Sequence, residues 1–208
     1  MAEPLADNLS AFILAGGRSS RMGSDKAFLD FEGRTLLARA LALARSVSPE
    51  VQIVGDAAKF ASFAPVVEDI FRGCGPLGGI HAALHASETE LNLILAVDMP
   101  FLSFALLQFL MTRARNTDHA LATVPYTNAG WQPLCAVYRK EFAVPAESAL
   151  SCARCKIDPL FEEVSVRAID EDELAEAGFS PRVFCNLNTP DDVSCAAKPK
   201  SGKQGSDS

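Results

Sequence analysis

The sequence alternates short apolar runs with longer segments of helical periodicity, and this alternation constrains the fold more than any other feature. It is typical of βαβ units, which build a mostly parallel sheet with helices on both faces. The predicted strands are 12–14, 51–54, 66–67, 91–97, 120–124 and 133–138. The run 91–97 is continuously apolar, as in strands that are covered on both faces. We therefore predict a three-layer α/β/α fold around a mostly parallel central sheet.

Four segments between these strands have the composition and periodicity of helices. They are 35–46, 57–63, 77–86 and 103–115. Thr35 and Ser103 are placed to cap the first and the last of them. After residue 138 the pattern indicates short helices and strands without defining their bounds. Near the end, the segment Thr189-Pro190-Asp191-Asp192 indicates a helix start, with a cap, a proline and acids in the first turn.

The length of the chain suits one domain. Its 208 residues are enough for a single hydrophobic core, and the hydrophobic fraction of 49% is that of a globular protein. We predict one domain over residues 1–196. Residues 197–208 are polar and are predicted to form a disordered tail.

Charge and hydropathy limit the partners that the chain can take. The formal net charge of −7 argues against a nucleic-acid partner, because nucleic acids are bound through extended basic surfaces. A small triphosphate remains compatible, since local cations, backbone amides and a metal can hold it. The first ten residues carry no basic side chain, and no run approaches the roughly 20 apolar residues of a membrane span. We predict a cytoplasmic protein with no membrane partner.

The cysteines and histidines give only weak signals of a metal site. Cys152 and Cys155 form one C-x-x-C pair, but a zinc site needs about four ligands and no second pair is near. In a reducing compartment we expect the cysteines to be small apolar fillers. His81 and His85 have the spacing of metal ligands on a helix, but no third ligand is evident, so we expect them to be surface or packing residues.

The segment 14–26, LAGGRSSRMGSDK, carries the chemistry most clearly. It lies between a predicted strand and a predicted helix. Gly16 and Gly17 let the backbone approach a ligand closely, and amides in such a loop can point at phosphate oxygens. Three cationic donors follow within a few residues: Arg18, Arg21 and Lys26. Together they can offset the charge of a triphosphate.

Taken alone, this loop leaves two interpretations open. It matches neither G-x-x-x-x-G-K-[ST] nor G-x-G-x-x-G with a downstream acid. A plain strand-to-helix turn with solvated arginines fits the segment as well as a phosphate-binding loop does.

The full string, however, resembles the signature LAGGxSxRMGxDK of the molybdenum cofactor guanylyltransferases. Further segments resemble that family in the same order along the chain: Asp69, Gly75-Pro76-Leu77-Gly78-Gly79-Ile80, Asp98-Met99-Pro100-Phe101, Gln132-Pro133-Leu134 and Asn186-Leu187-Asn188-Thr189-Pro190. The resemblance covers nearly the whole chain except its two ends. It implies a Rossmann-like nucleotidyltransferase fold, in agreement with the alternation above.

The resemblance also implies a set of site residues. The resemblance assigns catalytic roles to Arg21, Lys26 and Asp98. It assigns nucleotide and pterin binding to the following residues: Leu14, Ala15, Gly16, Gly17, Lys26, Asp69, Gly78, Asp98, Asn186 and Asn188. Asp98 is the expected Mg²⁺ ligand; it ends a buried strand, where open α/β sheets place ligand-binding groups, and Mg²⁺ takes hard oxygen ligands. A turn-capping role for Asp98 or Asp69, and an Asn turn at 186–188, are the structural alternatives.

Two positions depart from the family pattern. The family commonly has an Asn just after the second strand, where this chain has Val54-Gly55-Asp56. Either the backbone of Gly55 or the side chain of Asp56 would then have to make that nucleoside contact. Some members have His where this chain has Gln132, which we assign to the pterin side.

The implied reaction is transfer of GMP from GTP to the terminal phosphate of Mo-molybdopterin, with release of pyrophosphate. The implied partners are GTP and Mo-molybdopterin, with transient contacts to molybdopterin-supplying proteins and apo-molybdoenzymes. Alternatives are a cytidylyltransferase acting on molybdopterin, a sugar-1-phosphate nucleotidyltransferase, and a nucleotide-binding protein without turnover.

Overall fold

The structure is a computed structural model that describes residues 9–16, 26–187 and 192. Its strands are β1 (Leu9–Leu14), β2 (Asp30–Phe31), β3 (Arg34–Thr35), β4 (Glu50–Val54), β5 (Val66–Val67), β6 (Leu91–Ala96), β7 (Ala122–Thr127), β8 (Gly130–Trp131), β9 (Cys135–Arg139) and β10 (Val166–Ile169). Its α-helices are α1 (Leu36–Arg45), α2 (Ala57–Phe60), α3 (Gly75–Ala86), α4 (Phe104–Arg115), α5 (Ala143–Ser151), α6 (Asp158–Glu163) and α7 (Glu171–Glu176).

One sheet organises the described part of the chain, with strands in the order β10-β7-β9-β6-β1-β4-β5. β1 is parallel to both β4 and β6, β4 is parallel to β5, and β7 is parallel to β10. β9 runs antiparallel to β6 and to β7, and β8 pairs antiparallel with β7. The predicted mostly parallel sheet is therefore confirmed, with one reversed strand, β9, in its interior.

Helices cover both faces of this sheet, which confirms the predicted three-layer architecture. On one face, Ile13 of β1 belongs to a core that also holds buried leucines of α1 and α4. On the other face, Phe12 of the same strand belongs to a core with residues of α3, α5 and α6. All six residues of β1 are buried, and neighbouring side chains point to opposite layers.

The predicted helices are present, and the predicted side-chain caps form at the starts of α1 and α4. The hydroxyl oxygen of Thr35 accepts from the amide of Ala38 at 3.2 Å, and Ser103 caps α4 through the amide of Leu106 at 3.3 Å. The helix expected at 57–63 is shorter, since α2 ends at Phe60 and turns follow it. The helix start expected at 189–192 lies outside the described residues apart from Asp192, as does the tail at 197–208.

The expectation that the cysteines are small apolar fillers is confirmed for buried Cys135 and is wrong for the other four described cysteines. Cys74 and Cys155 are joined by a disulfide, with their Cα atoms 4.8 Å apart. The two residues are 81 positions apart, so no local pattern links them. The C-x-x-C spacing instead singled out Cys152 and Cys155. Cys135, Cys152 and Cys185 are free thiols. Within the described residues, no helix has the length and apolarity needed to cross a membrane.

Candidate functional site

The candidate site lies at one edge of the sheet, where β1, β4 and β6 end. The chain passes from β1 to β4 and β5 on one side and then returns to β6 on the other side of β1. The ends of β1 and β6 therefore flank the point at which the strand order reverses. Open α/β sheets bind ligands in the crevice at such a point.

Lys26 and Asp98 meet at this edge. Asp98 follows the end of β6, and Lys26 begins a short 3-10 turn, Lys26–Phe28, just before β2. The Nζ atom of Lys26 lies 3.8 Å from Oδ2 of Asp98. Their side chains are 32% and 16% exposed, respectively, so the pair is partly shielded but still reachable by a ligand. The structure thus brings together two of the three side chains predicted to be catalytic.

The environment of Asp98 suits a bound cation. Burial raises the pKa of its carboxyl group above the ordinary value, and the charge of Lys26 only opposes this shift. A further positive charge would therefore stabilise the ionised carboxylate, and a carboxylate oxygen is a ligand that Mg²⁺ prefers. Within the described part of the chain, no group of three or more His, Cys, Asp or Glu side chains is arranged to hold a metal.

The backbone after β1 is held in place by both neighbouring strands. The carbonyl of Leu14 accepts from the amide of Val97 at 3.2 Å, and the amide of Ala15 donates to the carbonyl of Val54 at 3.0 Å. Gly16 is the first exposed residue of the loop. The predicted phosphate-binding segment therefore begins on fixed main chain next to Asp98.

Gly55, in the stretch 54–56 where the family commonly has an Asn, is covered by an aromatic ring. A Cβ atom on Gly55 would lie 3.1 Å from two ring carbons of Phe60, so a larger side chain would have to displace the ring. The amide of Gly55 donates to the carbonyl of Val67 at 2.9 Å. Asp56 caps α2 by accepting from the amide of Ala58 at 2.9 Å. A ribose contact by Gly55 or Asp56 stays a prediction, and it would have to use other atoms than the Gly55 amide.

Asp69 lies close to the same edge and is half-buried. A Cβ atom on Gly79 would lie 3.0 Å from Cδ2 of Leu14 and 3.7 Å from Oδ1 of Asp69. The first turns of α3 are therefore packed against both the end of β1 and this carboxylate. Burial raises the pKa of Asp69, while the guanidinium of Arg72 opposes the shift.

Gly78 has a packing role that the sequence did not reveal. A Cβ atom there would lie 2.8 Å from the carbonyl oxygen of Phe71 and 3.4 Å from Cβ of Cys74. Only glycine lets the loop before α3 lie this close to the helix. Its proposed contact with the nucleotide stays a prediction.

The segment around Asn186 is attached directly to Asp98. The amide of Leu187 donates to the main-chain carbonyl of Asp98 at 2.9 Å. The Leu187 side chain is buried with Phe31 and Leu36. Asn186 is exposed beside this contact, so one of the two predicted amides lies near the carboxylate.

The Gln132–Leu134 segment reaches the same edge from the other side of β6. The carbonyl of Leu134 accepts from the amide of Ala96 at 2.8 Å. The side-chain amide of Gln132 donates to Oγ1 of Thr127 at 3.3 Å and to the carbonyl of Gly130 at 3.2 Å. Gln132 is therefore held against its own hairpin.

Sequence reasoning missed Glu171 as a support of this hairpin. Its Oε1 accepts from the backbone amide of Asn128 and its Oε2 from the side-chain amide, both at 2.7 Å. Asn128-Ala129-Gly130 has the composition of a turn, which the sequence could have revealed. Its carboxylate partner follows 43 residues later, and no local pattern links the two.

The two helix histidines are packing and surface residues, as expected. His81 is 2% exposed and its ring lies edge-on to Phe71 at 5.1 Å. Neither of its ring nitrogens has a hydrogen-bond partner among the described residues. Burial lowers the pKa of His81, and the nearby Glu147 and His85 act in opposite directions. His85 is exposed.

Three predicted site residues, Gly17, Arg21 and Asn188, lie outside the described residues. Leu14, Ala15, Gly16, Lys26, Asp69, Gly78, Asp98 and Asn186 all lie within the described part of the chain. The contacts above connect Leu14, Lys26, Asp69 and Asp98 at one edge.

Comparison with known proteins gives a consistent result. Residues 11–163 match the profile of the MobA-like NTP transferase domain. The chain is 36% identical over 183 residues to a probable molybdenum cofactor guanylyltransferase of Pelotomaculum thermopropionicum, covering 87% of this chain and 88% of that protein. It is 33% identical over 190 residues to the molybdenum cofactor guanylyltransferase of Desulfosudis oleivorans, covering 90% and 93%, respectively.

Solved structures share the fold. Molybdopterin-guanine dinucleotide biosynthesis protein A from Archaeoglobus fulgidus superposes with a TM-score of 0.78 at 27% identity, covering 90% of this chain and 96% of that one. The 2-C-methyl-D-erythritol 4-phosphate cytidylyltransferase from Thermus thermophilus superposes with a TM-score of 0.66 at 18% identity, covering 92% and 98%. The second comparison concerns the fold alone.

Proposed function

We infer, from the premise that this chain belongs to the MobA-like NTP transferase family, that it transfers GMP from GTP to the terminal phosphate of molybdopterin. Pyrophosphate is the second product. The names of its relatives, a guanylyltransferase in each case at 33–36% identity, support this nucleotide and acceptor. We assign the chain to the cytoplasm as part of the same proposal.

The observation that carries this proposal is the approach of Lys26 to Asp98 beside the end of β1. A 3.8 Å separation puts an ammonium and a carboxylate at the point of strand reversal. An ammonium binds phosphate oxygens, and a carboxylate binds the metal that accompanies them. The pair therefore suits a metal-bound nucleoside triphosphate better than a neutral ligand.

The chain's own groups would act mainly by binding and orientation. Lys26 would neutralise phosphate charge, and the loop that starts at Gly16 would offer amides to phosphate oxygens. Asp98 would hold Mg²⁺, which supplies charge neutralisation on the triphosphate when bound. Arg21 would add a second cationic contact. Asp69, against α3, is assigned to the nucleoside.

No strong general base is required of the protein. The terminal phosphate of molybdopterin is already ionised near pH 7, so its oxygen can attack the α-phosphorus directly. The P–O bond to the pyrophosphate then breaks, and the leaving group carries away the negative charge. Alignment and electrostatic stabilisation are therefore the expected sources of rate, as in phosphoryl transfer generally.

The acceptor would lie across β6 from the nucleotide. Asn186 and the Gln132–Leu134 segment both border Asp98 and are assigned to the pterin. Amide groups suit a pterin edge, which presents donors and acceptors together. Asn188 belongs to the same assignment.

Nucleotide competition tests the proposal. Purified chain, Mg²⁺ and molybdopterin are supplied with GTP, CTP or ATP, and pyrophosphate release is measured for each. We expect turnover with GTP and much less with the other two. A clear preference for CTP would reassign the chain to cytidylyl transfer, and tight GTP binding without product would indicate a sensor that does not catalyse the reaction.

A further inference from the structure

Three cysteines lie together beside the loop that leads into α3. Cys74 and Cys155 form a disulfide. Cys152 is an exposed free thiol three positions before Cys155. Three residues span at most about 11 Å of extended chain, and turn hydrogen bonds from Cys152 and Arg154 back to Ala149 keep this stretch shorter than that. A free thiol is therefore close to an existing disulfide.

The disulfide fastens a segment that can otherwise move. Cys74 lies between Gly73 (φ +81°) and Gly75 (φ +58°), both in the left-handed region. Glycine on each side makes this part of the backbone easy to rearrange. The loop contacts the helix at Gly78, and the next residue, Gly79, lies against Leu14 and Asp69. A bond at Cys74 therefore limits the positions that this loop can take near the candidate site.

The other end of the bond is anchored. Arg154, next to Cys155, pairs with Glu163 of α6, with Nη2 and Oε2 3.3 Å apart. Ala153 has a φ of +57°, which costs free energy for a residue with a side chain. Relief of this strain would accompany rearrangement of the 152–155 turn.

We propose that Cys74, Cys152 and Cys155 form a thiol–disulfide exchange site that fastens and releases the loop before α3. In the fastened form Cys74 is bonded to Cys155. In the released form Cys155 is bonded to Cys152, and Cys74 carries a free thiol. The external reactant is a dithiol or its disulfide, which reduces or restores the pair.

The exchange balances within the chain. The Cys152 thiolate attacks Sγ of Cys155, a Cys152–Cys155 bond forms, and the Cys155–Cys74 bond breaks with Cys74 leaving as thiolate. No net oxidation occurs. A dithiol such as dithiothreitol can instead donate two electrons and two protons, giving two protein thiols and the cyclic disulfide of the reagent. Burial raises the pKa of Cys135, which keeps that thiol out of the exchange.

Mass mapping tests the site on the full chain. The protein is equilibrated with oxidised dithiothreitol, free thiols are blocked with N-ethylmaleimide, and Glu-C digestion is done without reductant. We expect peptides 69–88 and 148–162 to be joined through Cys74, together with a population in which 148–162 has an internal bond and Cys74 is labelled. Cys152→Ser should keep only the first species, and Cys155→Ser should lose both. Labelling of all three cysteines after oxidation would overturn the proposal.

A second measurement tests the effect on the loop. Because the bond closes a sequence separation of 81 residues, its reduction should lower the Tm by roughly 5–15 °C. Cys74→Ser should have a low Tm in both states, while Cys185→Ser, an exposed control thiol, should keep the redox-dependent shift. A wild-type Tm that is the same in both states would contradict a fastened loop.

The effect on GTP rests on the proposed function. The fastened loop should bind GTP about 2–10-fold more tightly, because less of it has to be ordered on binding. If GTP does not bind in either state while the joined peptides are found, the proposed function fails and the exchange site stands. Equal GTP affinity of both redox states would overturn the coupling of the bond to the nucleotide loop.

Discussion

At the scale of single residues, Asp98 and Lys26 contribute to the site in different ways. Asp98 carries a charge that burial penalises, and Lys26 compensates for it only in part. Removing Lys26 leaves a carboxylate that a cation can still neutralise. Removing the charge of Asp98 takes away the proposed metal ligand itself.

Substitution of these two residues tests the site. We expect Asp98→Asn and Lys26→Ala each to lower the rate of pyrophosphate release by about 10²–10³, by analogy with the loss of one preorganised charge contact. Both variants should stay folded, because the two side chains are partly exposed and lie outside the two main cores. Rates are measured at saturating GTP and molybdopterin, and folding is followed by thermal unfolding.

Lys140→Ala provides the matched control, since this exposed lysine lies next to Arg139, at the opposite end of β6 from Asp98. The Lys140→Ala variant should release pyrophosphate at the rate of the wild type. If Asp98→Asn turned over normally while binding GTP and Mg²⁺ as before, the catalytic assignment of this carboxylate would be lost.

His81 should make the stability of the fold depend on pH. Its pKa in the folded state lies below 6.5, chiefly because of burial, whereas the unfolded chain has the ordinary value. The unfolded state therefore takes up the proton first as pH falls. The stability contribution is complete above pH 6.5 and is lost as pH falls from 6.5 toward the folded-state pKa, at no more than about 1.4 kcal/mol per pH unit.

Urea unfolding between pH 7.5 and 5 measures this dependence. Replacement of His81 by Phe, which keeps an aromatic ring against Phe71, should flatten the dependence. Exposed His119, replaced by Gln, should leave it unchanged. An equally steep profile in the Phe variant would show that other groups cause the loss.

Several site residues could be predicted individually from the sequence, but their contacts could not. Asp98 was recognisable because a carboxylate ends a buried apolar strand. Phe60 over Gly55, and Cys74 bonded to Cys155, depend on packing between segments that carry no shared pattern. The resemblance marked the stretch 54–56 as a departure from the family pattern, and the ring of Phe60 gives a physical reason why position 55 is a glycine.

At the scale of elements, the most informative support is the attachment of α7 to the β7–β8 hairpin. Glu171 is the first residue of the helix, and its carboxylate accepts hydrogen bonds from the backbone and side-chain amides of Asn128, both at 2.7 Å. Two further ion pairs, from Arg113 and Arg167 to Glu173, hold the same helix against α4 and β10. The hairpin leads directly to Gln132, so its position is set from outside the site.

Loss of this attachment should weaken binding of the acceptor more than of GTP. We expect Glu171→Ala to raise the KM for molybdopterin several-fold, because about 1.4 kcal/mol corresponds to a tenfold change in binding and the variant loses two hydrogen bonds to a charged group. The KM for GTP and the kcat should change little. Steady-state kinetics with each substrate varied in turn provides the measurement.

Glu176→Ala, at the exposed end of the same helix, serves as the control and should behave like the wild type. Equal increases in both KM values for Glu171→Ala would mean that the helix supports the whole site rather than the acceptor side.

Element types were easier to predict than element order. Capped amphipathic helices such as α1 and the continuous apolar strand β6 follow from local composition, and both are present close to the expected bounds. The shorter α2 and the strands after residue 138 depend on neighbours that local composition does not contain. The sequence of α2 is Ala-Ala-Lys-Phe and that of β10 is Val-Arg-Ala-Ile, and segments this short suit several conformations.

At the scale of the whole molecule, the sheet order explains why residues distant in sequence share one edge. β1 is central, and the return of the chain from β5 to β6 places Asp98 beside Leu14. The alternation of strands and helices predicted this layered architecture. It could not predict the reversal of β9, because strand direction depends on the length and path of the connections rather than on the strand residues.

Because β9 is reversed, the edge of the sheet that holds the candidate site is built partly from the ends of parallel strands and partly from the start of an antiparallel strand. The main chain that we propose to bind phosphate lies at the ends of parallel strands, whereas the Gln132–Leu134 segment lies at the start of an antiparallel one, bound to β6 through Leu134. Insertions or substitutions between β7 and β9 would therefore change the proposed acceptor side, while the proposed phosphate-binding main chain after β1 keeps its geometry. Such an arrangement lets one scaffold evolve new acceptors without having to rebuild its nucleotide chemistry.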